Sequence, residues 1–204
     1  MERIAFIAGP ARSGTTLVRG ILDAHPDIAV TKETRFMDLI YSLRNQPGGR
    51  REMLKRILKR ARPRILRRSG EAGLQPFREK MEGIRNSREL WRELMKVTAT
   101  KEVRKLLVEK TPDNISFLKE INEWFPEAPI VVTMRDGRDV VASAVKIWAR
   151  LDLSPLDAAA QWRLAAESYL KAQAVPHLLL RYEEVVRDPN KFFADLFSYL
   201  GFTY

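Results

Sequence analysis

A loop near the amino terminus has the residue types that bind phosphate. It follows the apolar run 4–8 and precedes a segment with helical periodicity, and its residues are Gly9, Pro10, Ala11, Arg12, Ser13, Gly14, Thr15 and Thr16. Glycines let the backbone approach an anion closely, and the free amides at a helix N-terminus face that anion. The spacing is that of the motif G-x-x-x-x-G-K-[ST], except that Thr15 stands where the lysine should be. Arg12 is then the nearest cation that could replace the lysine.

A second group of anion-binding residues follows the apolar run 129–134. Arg135 ends this run, and Ser143 stands eight residues later, within a helix that we expect to begin near Asp139. A guanidinium beside a hydroxyl suits a phosphate monoester, because the guanidinium can donate two parallel hydrogen bonds. Ion pairing of Arg135 with its neighbours on the surface is the alternative. The presence of the first loop favours a second phosphate site.

Two charged residues at other strand ends could take part in chemistry. Glu33 follows the short predicted strand 28–30, whose carboxyl end we expect beside that of the first strand. A carboxylate there could accept a proton from a hydroxyl held within about 3 Å; stabilisation of the following helix is the alternative role. Lys110 ends the predicted strand 106–109, where it is either a site residue or an ordinary surface lysine.

Alternating strands and helices position these residues. Short apolar runs predict five strands, at 4–8, 28–30, 106–109, 129–134 and 177–180. Helices are predicted at 15–24, 36–44, 75–84, 87–96, 114–125, from about 139, at 155–174 and at 189–200. Strands that alternate with helices form a mostly parallel sheet covered on both faces, so we expect an α/β fold. The length of 204 residues fits a single domain over 1–204.

Residues 44–100 interrupt this alternation, and we interpret them as a helical insertion. Within it, residues 44–70 carry eleven basic side chains against the single acid Glu52, with apolar residues between them. This pattern predicts a basic amphipathic helix. A polyanion-binding protein is therefore one alternative function. No aromatic residue lies between Tyr41 and Phe77 to stack on bases, so we expect no nucleic-acid partner.

The composition excludes several kinds of site. There is no cysteine, and the two histidines, His25 and His177, are too few and too far apart for a metal cluster. No run of about 18 apolar residues predicts a transmembrane segment, and the first apolar run is too short for a signal peptide. We therefore expect a cytoplasmic protein without a metal. The formal net charge of +10 favours anionic ligands or partners.

Several of these motifs resemble those of sulfotransferases that use 3′-phosphoadenosine 5′-phosphosulfate (PAPS). Residues 12–17, 22–27 and 33–35 are most similar to the protein-tyrosine sulfotransferase branch, and similar stretches occur in bacterial sulfotransferases. Further matches are Tyr182, which falls where the family often has a tyrosine near the nucleotide, and the pairs Leu153-Ser154 and Gln161-Trp162. The resemblance covers both ends and the middle of the chain but not the basic insertion. It implies a P-loop-type domain and sulfuryl transfer to a hydroxyl acceptor.

The resemblance also implies roles for individual residues. The first loop matches the family's 5′-phosphosulfate-binding loop, and Arg135 and Ser143 match its 3′-phosphate ligands. The implied nucleotide-binding residues are thus Arg12, Ser13, Gly14, Thr15, Thr16, Arg135, Ser143 and Tyr182. Glu33 matches the catalytic base and Arg35 an arginine of the acceptor site, and a lysine at the position of Lys110 approaches the sulfonate. Arg12 and Lys110 are then expected to stabilise the transition state of a metal-independent, in-line transfer that releases 3′-phosphoadenosine 5′-phosphate (PAP).

Other expectations concern the acceptor and the chain end. The basic insertion could line an acceptor cleft and attract an acidic acceptor. The family normally continues into a loop that closes over the nucleotide, but this sequence ends at Tyr204. We expect either a shortened chain or a more open nucleotide site. A P-loop kinase or nucleoside triphosphatase is the other alternative; the missing lysine and the lack of a clear strand-end Asp for magnesium count against it.

Overall fold

The computed structural model describes residues 2–148 and 154–203, and a parallel sheet of five strands forms its centre. The strands are β1 (Arg3–Ala8), β2 (Ile28–Val30), β3 (Leu106–Lys110), β4 (Ile130–Met134) and β5 (Leu178–Arg181). Each consists of a short apolar run, and all but β5 are buried almost throughout. The predicted α/β fold with a mostly parallel sheet is confirmed.

The order of the strands corrects one expectation about the site. The order is β2-β3-β1-β4-β5, so β2 lies beside β3 and not beside β1. Val30 pairs with Val108, and Ile7 pairs with Lys110. The residues after β2 therefore meet the end of β3, while those after β4 meet the loop that follows β1. The carboxyl edge of the sheet therefore has two neighbouring halves, one at the ends of β2 and β3 and the other at the ends of β1 and β4.

Five α-helices precede β3, and the last three of them lie within residues 44–100. They are α1 (Thr15–Ala24), α2 (Phe36–Leu43), α3 (Gly49–Ser69), α4 (Leu74–Gly83) and α5 (Ser87–Thr98), with a 3-10 turn at Glu71–Gly73. The helix α3 turns a row of small and apolar residues towards the core, namely Met53, Ile57, Ala61 and Ile65. This spacing of four residues explains why so basic a segment folds against the sheet.

Five further α-helices follow β3 within the described residues. They are α6 (Leu118–Trp124), α7 (Gly137–Trp148), α8 (Pro155–Lys171), α9 (Tyr182–Arg187) and α10 (Pro189–Leu200). The helix expected over 114–125 begins instead as a 3-10 helix, Pro112–Phe117, in which the Asn114 side chain donates a hydrogen bond to Glu109. The predicted match at Leu153 lies outside the described residues. No helix within the described residues is both long and apolar enough to cross a bilayer.

The sheet separates two apolar cores. Ile4 and Phe6 point to one side and Ala5 and Ile7 to the other, as alternation along a strand requires. The larger core contains the helical insertion and centres on Trp91, whose indole stacks on the Phe36 ring with centroids 5.3 Å apart. The smaller core is covered by α1, α9 and α10. The carboxyl edge of the sheet lies between these cores.

Three arginines of α3, Arg60, Arg64 and Arg68, form a row that donates hydrogen bonds to backbone carbonyls of neighbouring loops. We call them the arginine row. Arg64 donates to the Ala99 carbonyl through Nε at 2.9 Å and through Nη2 at 2.5 Å. Arg68 donates to the same carbonyl at 3.2 Å, and Arg60 donates to the carbonyl of Thr34. Part of the basic segment is thus structural, since its cations fasten α3 to the loops beneath it.

Candidate functional site

The loop after β1 is packed so closely that two of its residues must be glycine. Gly9 and Gly14 have positive φ angles of +154° and +99°. A Cβ at Gly9 would collide with the Thr133 carbonyl, and one at Gly14 would lie 2.8 Å from the Tyr182 ring. Arg12 is also left-handed, with φ of 68°. The loop therefore passes between β4 and Tyr182. Gly14 is the residue that precedes the first turn of α1, and it has no side chain that could cap the helix. The first amides of α1 are left for a ligand.

Ser13 holds this loop against β4. Its hydroxyl donates to the Pro10 carbonyl at 2.6 Å and lies 2.8 Å from Thr133 Oγ1. The Ser13 amide also donates to the Pro10 carbonyl. Both polar groups of the buried Ser13 are thus engaged inside the protein. The groups of the loop that remain for an anion are the amides of residues 14–17 and the exposed side chains of Arg12 and Thr16.

The predicted second anion site meets the loop from the other side. Arg12 Nε donates to Ser143 Oγ at 3.2 Å. The Arg135 guanidinium lies 4.3 Å above the Tyr182 ring and donates to the Arg12 carbonyl at 3.5 Å. Tyr182 in turn packs on Gly14. Residues predicted from three separate stretches of sequence, namely the first loop, the 135–143 segment and Tyr182, therefore form one contiguous group.

Arg135 keeps one hydrogen-bond donor free. Its Nε is buried and has no partner among the described residues. The same guanidinium lies 3.8 Å from the carboxylate of Asp139, a long ion pair whose acidic partner is exposed. A buried donor without an acceptor is costly, by about 1–3 kcal/mol, unless a ligand supplies the acceptor. The geometry therefore fits an anion at Arg135.

Trp162 and Glu183 position the Arg135 turn, and sequence reasoning assigned neither to the site. Trp162 Nε1 donates to the Arg135 carbonyl at 3.1 Å, and its indole packs directly on Gly137. The Asp136 amide donates to Glu183 Oε1 at 2.9 Å. Hydrogen bonds from Arg138 lower the pKa of Asp136 to about 2, so Asp136 is ionised at neutral pH. The family match at Gln161-Trp162 is the sequence signal that points to Trp162.

Lys110 and Glu33 form an ion pair at the other half of the edge. Lys110 Nζ lies 2.6 Å from Glu33 Oε1, and the lysine side chain is only 5% exposed whereas that of Glu33 is 47% exposed. Lys110 is therefore not a surface lysine. The buried ammonium holds the carboxylate in place, and the half-exposed carboxylate can be reached by the hydroxyl of a bound molecule. The two residues come together because β2 and β3 are neighbours.

A buried carboxylate next to Lys110 organises this half of the site. Glu109 is fully buried and points to the face opposite Lys110. Its Oε1 accepts from the hydroxyls of Thr34 at 2.7 Å and Thr111 at 2.6 Å, and its Oε2 accepts from Asn114 at 2.5 Å. Burial raises the pKa of Glu109, while these hydrogen bonds oppose the shift. Sequence reasoning did not identify Glu109, because its partner Thr34 lies 75 residues away in the sequence.

The segment that carries Glu33 and Arg35 is held from both sides. The amides of Thr34 and Arg35 donate to Thr111 Oγ1 at 3.1 and 3.3 Å. From the other side, Arg60 of the arginine row donates to the carbonyls of Thr34 and Arg35. Arg35 itself adopts a left-handed conformation with φ of 48°. The position of Glu33 is therefore set by Glu109 and by α3 together.

A cavity of about 470 Å³ lies between the first loop and α8. Its lining includes Gly9, Pro10, Ala11, Arg35, Asp38, Asp113, Phe117, Trp162 and Leu164. Arg35 lies 3.3 Å from Asp113 and 3.5 Å from Asp38, so two carboxylates balance its charge. Burial, and then the charge of Asp38, raises the pKa of Asp113. The wall of the cavity is thus largely apolar, and the charge of Arg35, the one cation among the described lining residues, is balanced by the two carboxylates.

The sheet order and the loop define an α/β protein of the P-loop type. Residues 5–204 match the model of the sulfotransferase family, and the chain belongs to this family. Within the described residues, no group of three or more histidine or acidic side chains is arranged to hold a metal ion.

Relatives and solved structures agree with this family. Protein-tyrosine sulfotransferase 1 of Danio rerio is 30% identical over 209 residues, which cover 97% of this chain and 53% of the relative. Protein-tyrosine sulfotransferase 2 of Gallus gallus is 27% identical over 214 residues, covering 98% and 52%. The chain thus spans about half the length of these relatives. The sulfotransferase domain from the curacin biosynthetic pathway shares the fold, with a TM-score of 0.69 at 20% identity over 100% of this chain and 75% of that one.

Proposed function

We propose that the protein transfers a sulfuryl group from PAPS to a hydroxyl acceptor and releases PAP. Membership of the sulfotransferase family supports sulfuryl transfer in general. The observation that carries the specific proposal is the contact between Lys110 and Glu33, a buried cation and a half-exposed carboxylate 2.6 Å apart. It sets a candidate base beside a candidate sulfonate ligand, on the same sheet edge as the phosphate-binding loop.

The nucleotide is held by the loop and by the group around Arg135. The amides of Gly14, Thr15 and Thr16 bind the 5′-phosphosulfate, and Arg12 neutralises it. Arg135 and Ser143 bind the 3′-phosphate, for which the unpartnered Arg135 Nε supplies a free donor. Ser13 contributes by holding the loop, since its hydroxyl and amide are both engaged. Tyr182 lies against Gly14 and Arg135 and borders the nucleotide.

The reaction needs a base, an in-line approach and positive charge at the leaving oxygen. Glu33 accepts the proton of the acceptor hydroxyl, whose oxygen then bonds to sulfur. The bond between sulfur and the bridging oxygen breaks, and the electron pair leaves with PAP. Lys110 and Arg12 stabilise the negative charge that develops on the sulfonate and on the bridging oxygen. These two cations and the loop amides perform the role that a metal ion would have, so we propose a metal-independent transfer.

The 470 Å³ cavity is the proposed acceptor site. This volume falls in the range of ligand pockets, about 300–1,000 Å³, and suits a small phenol or a single side chain. The tyrosine sulfotransferases among the relatives make a tyrosine side chain one candidate acceptor. Since Asp38 and Asp113 balance Arg35, the cavity offers no surplus positive charge, and the contacts around Arg35 do not favour the acidic acceptor expected from the sequence.

Calorimetry with PAP in the presence of a chelator tests the proposal. PAP should bind the wild-type protein, and Arg135→Ala should weaken this binding by roughly 10–100-fold, as expected for loss of a bidentate charged contact. Arg138→Ala is the matched control, because this neighbouring arginine is 91% exposed and pairs with Asp136; it should leave PAP binding unchanged. Tighter binding of ATP with magnesium than of PAP would contradict the proposal and support the kinase or triphosphatase alternative.

A further inference from the structure

A long groove between α3 and α4 lies outside the proposed sulfuryl-transfer site. Its volume is about 1030 Å³, and it shares no lining residue with the acceptor cavity. Its lining includes Arg50, Arg51, Leu54, Lys55, Leu58, Lys59, Arg62, Ile65, Glu71, Leu74, Arg78, Glu82 and Arg85. We call it the α3–α4 groove.

The rim of the α3–α4 groove carries unbalanced positive charge. Seven lining side chains are basic and two are acidic. Arg50 is bound to the carbonyls of Glu82 and Ile84, and Arg62 pairs with Glu71 at 3.3 Å. The other five have no ion-pair partner within residues 2–148 and 154–203 and are all exposed: Arg51, Lys55, Lys59, Arg78 and Arg85. They differ from the arginine row, whose cations are bound to carbonyls of the protein itself.

The floor of the α3–α4 groove is apolar and recessed. Leu54, Leu58 and Leu74 are half-buried and Ile65 is buried, whereas the cations beside them are exposed. Leu54 and Leu58 are four residues apart on α3 and therefore share one face of the helix. The lining runs from Gly48 to Ile65 along α3, which is roughly 26 Å at 1.5 Å per residue. The groove can receive a convex, elongated ligand with an apolar stripe and acidic flanks.

We propose that the α3–α4 groove binds an acidic amphipathic helix of a partner protein. A helix is about 10 Å wide with its side chains, and recognition by an apolar stripe in a groove is a common binding mode. A membrane surface fits less well, since a planar surface cannot reach leucines that lie below a rim of cations. A second copy of this chain is disfavoured because each copy carries a net charge of +10.

Fluorescence anisotropy tests this proposal with a labelled synthetic helical peptide of about five turns that carries leucine on one face and glutamate on the flanks. Lys55→Glu should weaken binding about tenfold or more, because one attraction becomes a repulsion. Arg67→Glu is the matched control: it makes the same charge change on α3, is exposed, and does not line the groove. It should change binding by less than about twofold. Equal effects of the two variants would overturn the proposal.

Two further comparisons test the shape and the kind of partner. Leu58→Gln should weaken binding of the amphipathic peptide, and a scrambled peptide of the same composition should bind more weakly than the amphipathic one. Equal binding of both peptides would show that the groove binds polyanions without recognising an apolar stripe, and this result would overturn the proposal. Stronger binding to phosphatidylserine vesicles, lost in Lys55→Glu but not in Arg67→Glu, would assign the groove to a membrane and overturn the proposal. Thermal unfolding confirms that each variant is folded, and PAP affinity should stay unchanged in all of them.

Discussion

Replacement of the buried Glu109 tests whether a residue that contacts neither nucleotide nor acceptor controls the reaction. Glu109→Gln keeps the shape of the side chain but removes its charge. The carboxylate accepts from Thr34, Thr111 and Asn114. Hydrogen bonds to a charged group contribute about 1.5–3 kcal/mol each and neutral ones about 1 kcal/mol. The oxygen of glutamine can retain some of these bonds, so we expect a total loss of about 1–3 kcal/mol in the free energy of unfolding.

The effect on activity should exceed the effect on nucleotide binding. Thr34 and Thr111 hold the segment that carries Glu33, and a displacement of about 1 Å in a reacting group can cost roughly 100-fold in rate. We therefore expect kcat to fall by roughly 10–100-fold in Glu109→Gln, with the Kd for PAP changed by less than about twofold. Steady-state kinetics and calorimetry measure the two quantities. An unchanged kcat, or an equal loss in PAP affinity, would refute the positioning role of Glu109.

The pH dependence of stability gives a second readout for Glu109. Burial raises its pKa above the ordinary value of 4.5, so the folded protein binds the proton more tightly than the unfolded chain. This contribution is fully present below pH 4.5 and is lost as the pH rises through the folded pKa. The stability advantage of wild type over Glu109→Gln should therefore decrease with rising pH, which urea unfolding at several pH values measures. An advantage that grows with pH would show that the ionised form is preferred.

The remaining predictions concern the loop, the cation and the arginine row. Gly14→Ala places a methyl group 2.8 Å from the Tyr182 ring at a positive φ and should weaken PAP binding at least about tenfold, whereas Gly20→Ala, which meets nothing within 4 Å, should not. Calorimetry distinguishes the two. Lys110→Met should lower the single-turnover rate by roughly 100-fold or more, since the charge beside the sulfonate is lost; an unchanged rate would exclude Lys110 from the chemistry. Arg64→Ala loses both bonds to the Ala99 carbonyl and should destabilise the protein by about 1–3 kcal/mol, against less than about 0.5 kcal/mol for Arg67→Ala, as chemical unfolding measures.

Local pattern predicted most of the elements in this fold. The bounds of α1, β2 and α10 agree with the sequence prediction, because short apolar runs and helical periodicity are properties of contiguous residues. The order of the strands was not predicted correctly. Whether β2 lies beside β1 or β3 depends on contacts between residues that are far apart in sequence, such as Val30 and Val108.

The site residues also fall into those that local motifs identify and those that depend on contacts between distant parts of the sequence. Arg12, Arg135 and Ser143 each stand in a recognisable motif, and the structure brings them together. Glu109 and Arg60 have no motif, since a buried acid and one arginine among eleven basic residues resemble ordinary surface charges in the sequence. Their function depends on the backbone groups of the 31–35 segment that they contact. Such partners can be identified only after the chain is folded.

The arginine row also has a kinetic consequence. Because Arg60, Arg64 and Arg68 are bound to carbonyls, their charges keep fixed positions and cannot move away from an approaching ligand. Arg60 contacts the segment that carries Glu33, so this fixed charge lies next to the reaction site. A stationary positive field accelerates the encounter with an anionic nucleotide, and salt screens it over a length of about 8 Å at physiological ionic strength. The association rate of PAP should therefore decrease with added salt even where the dissociation rate stays constant.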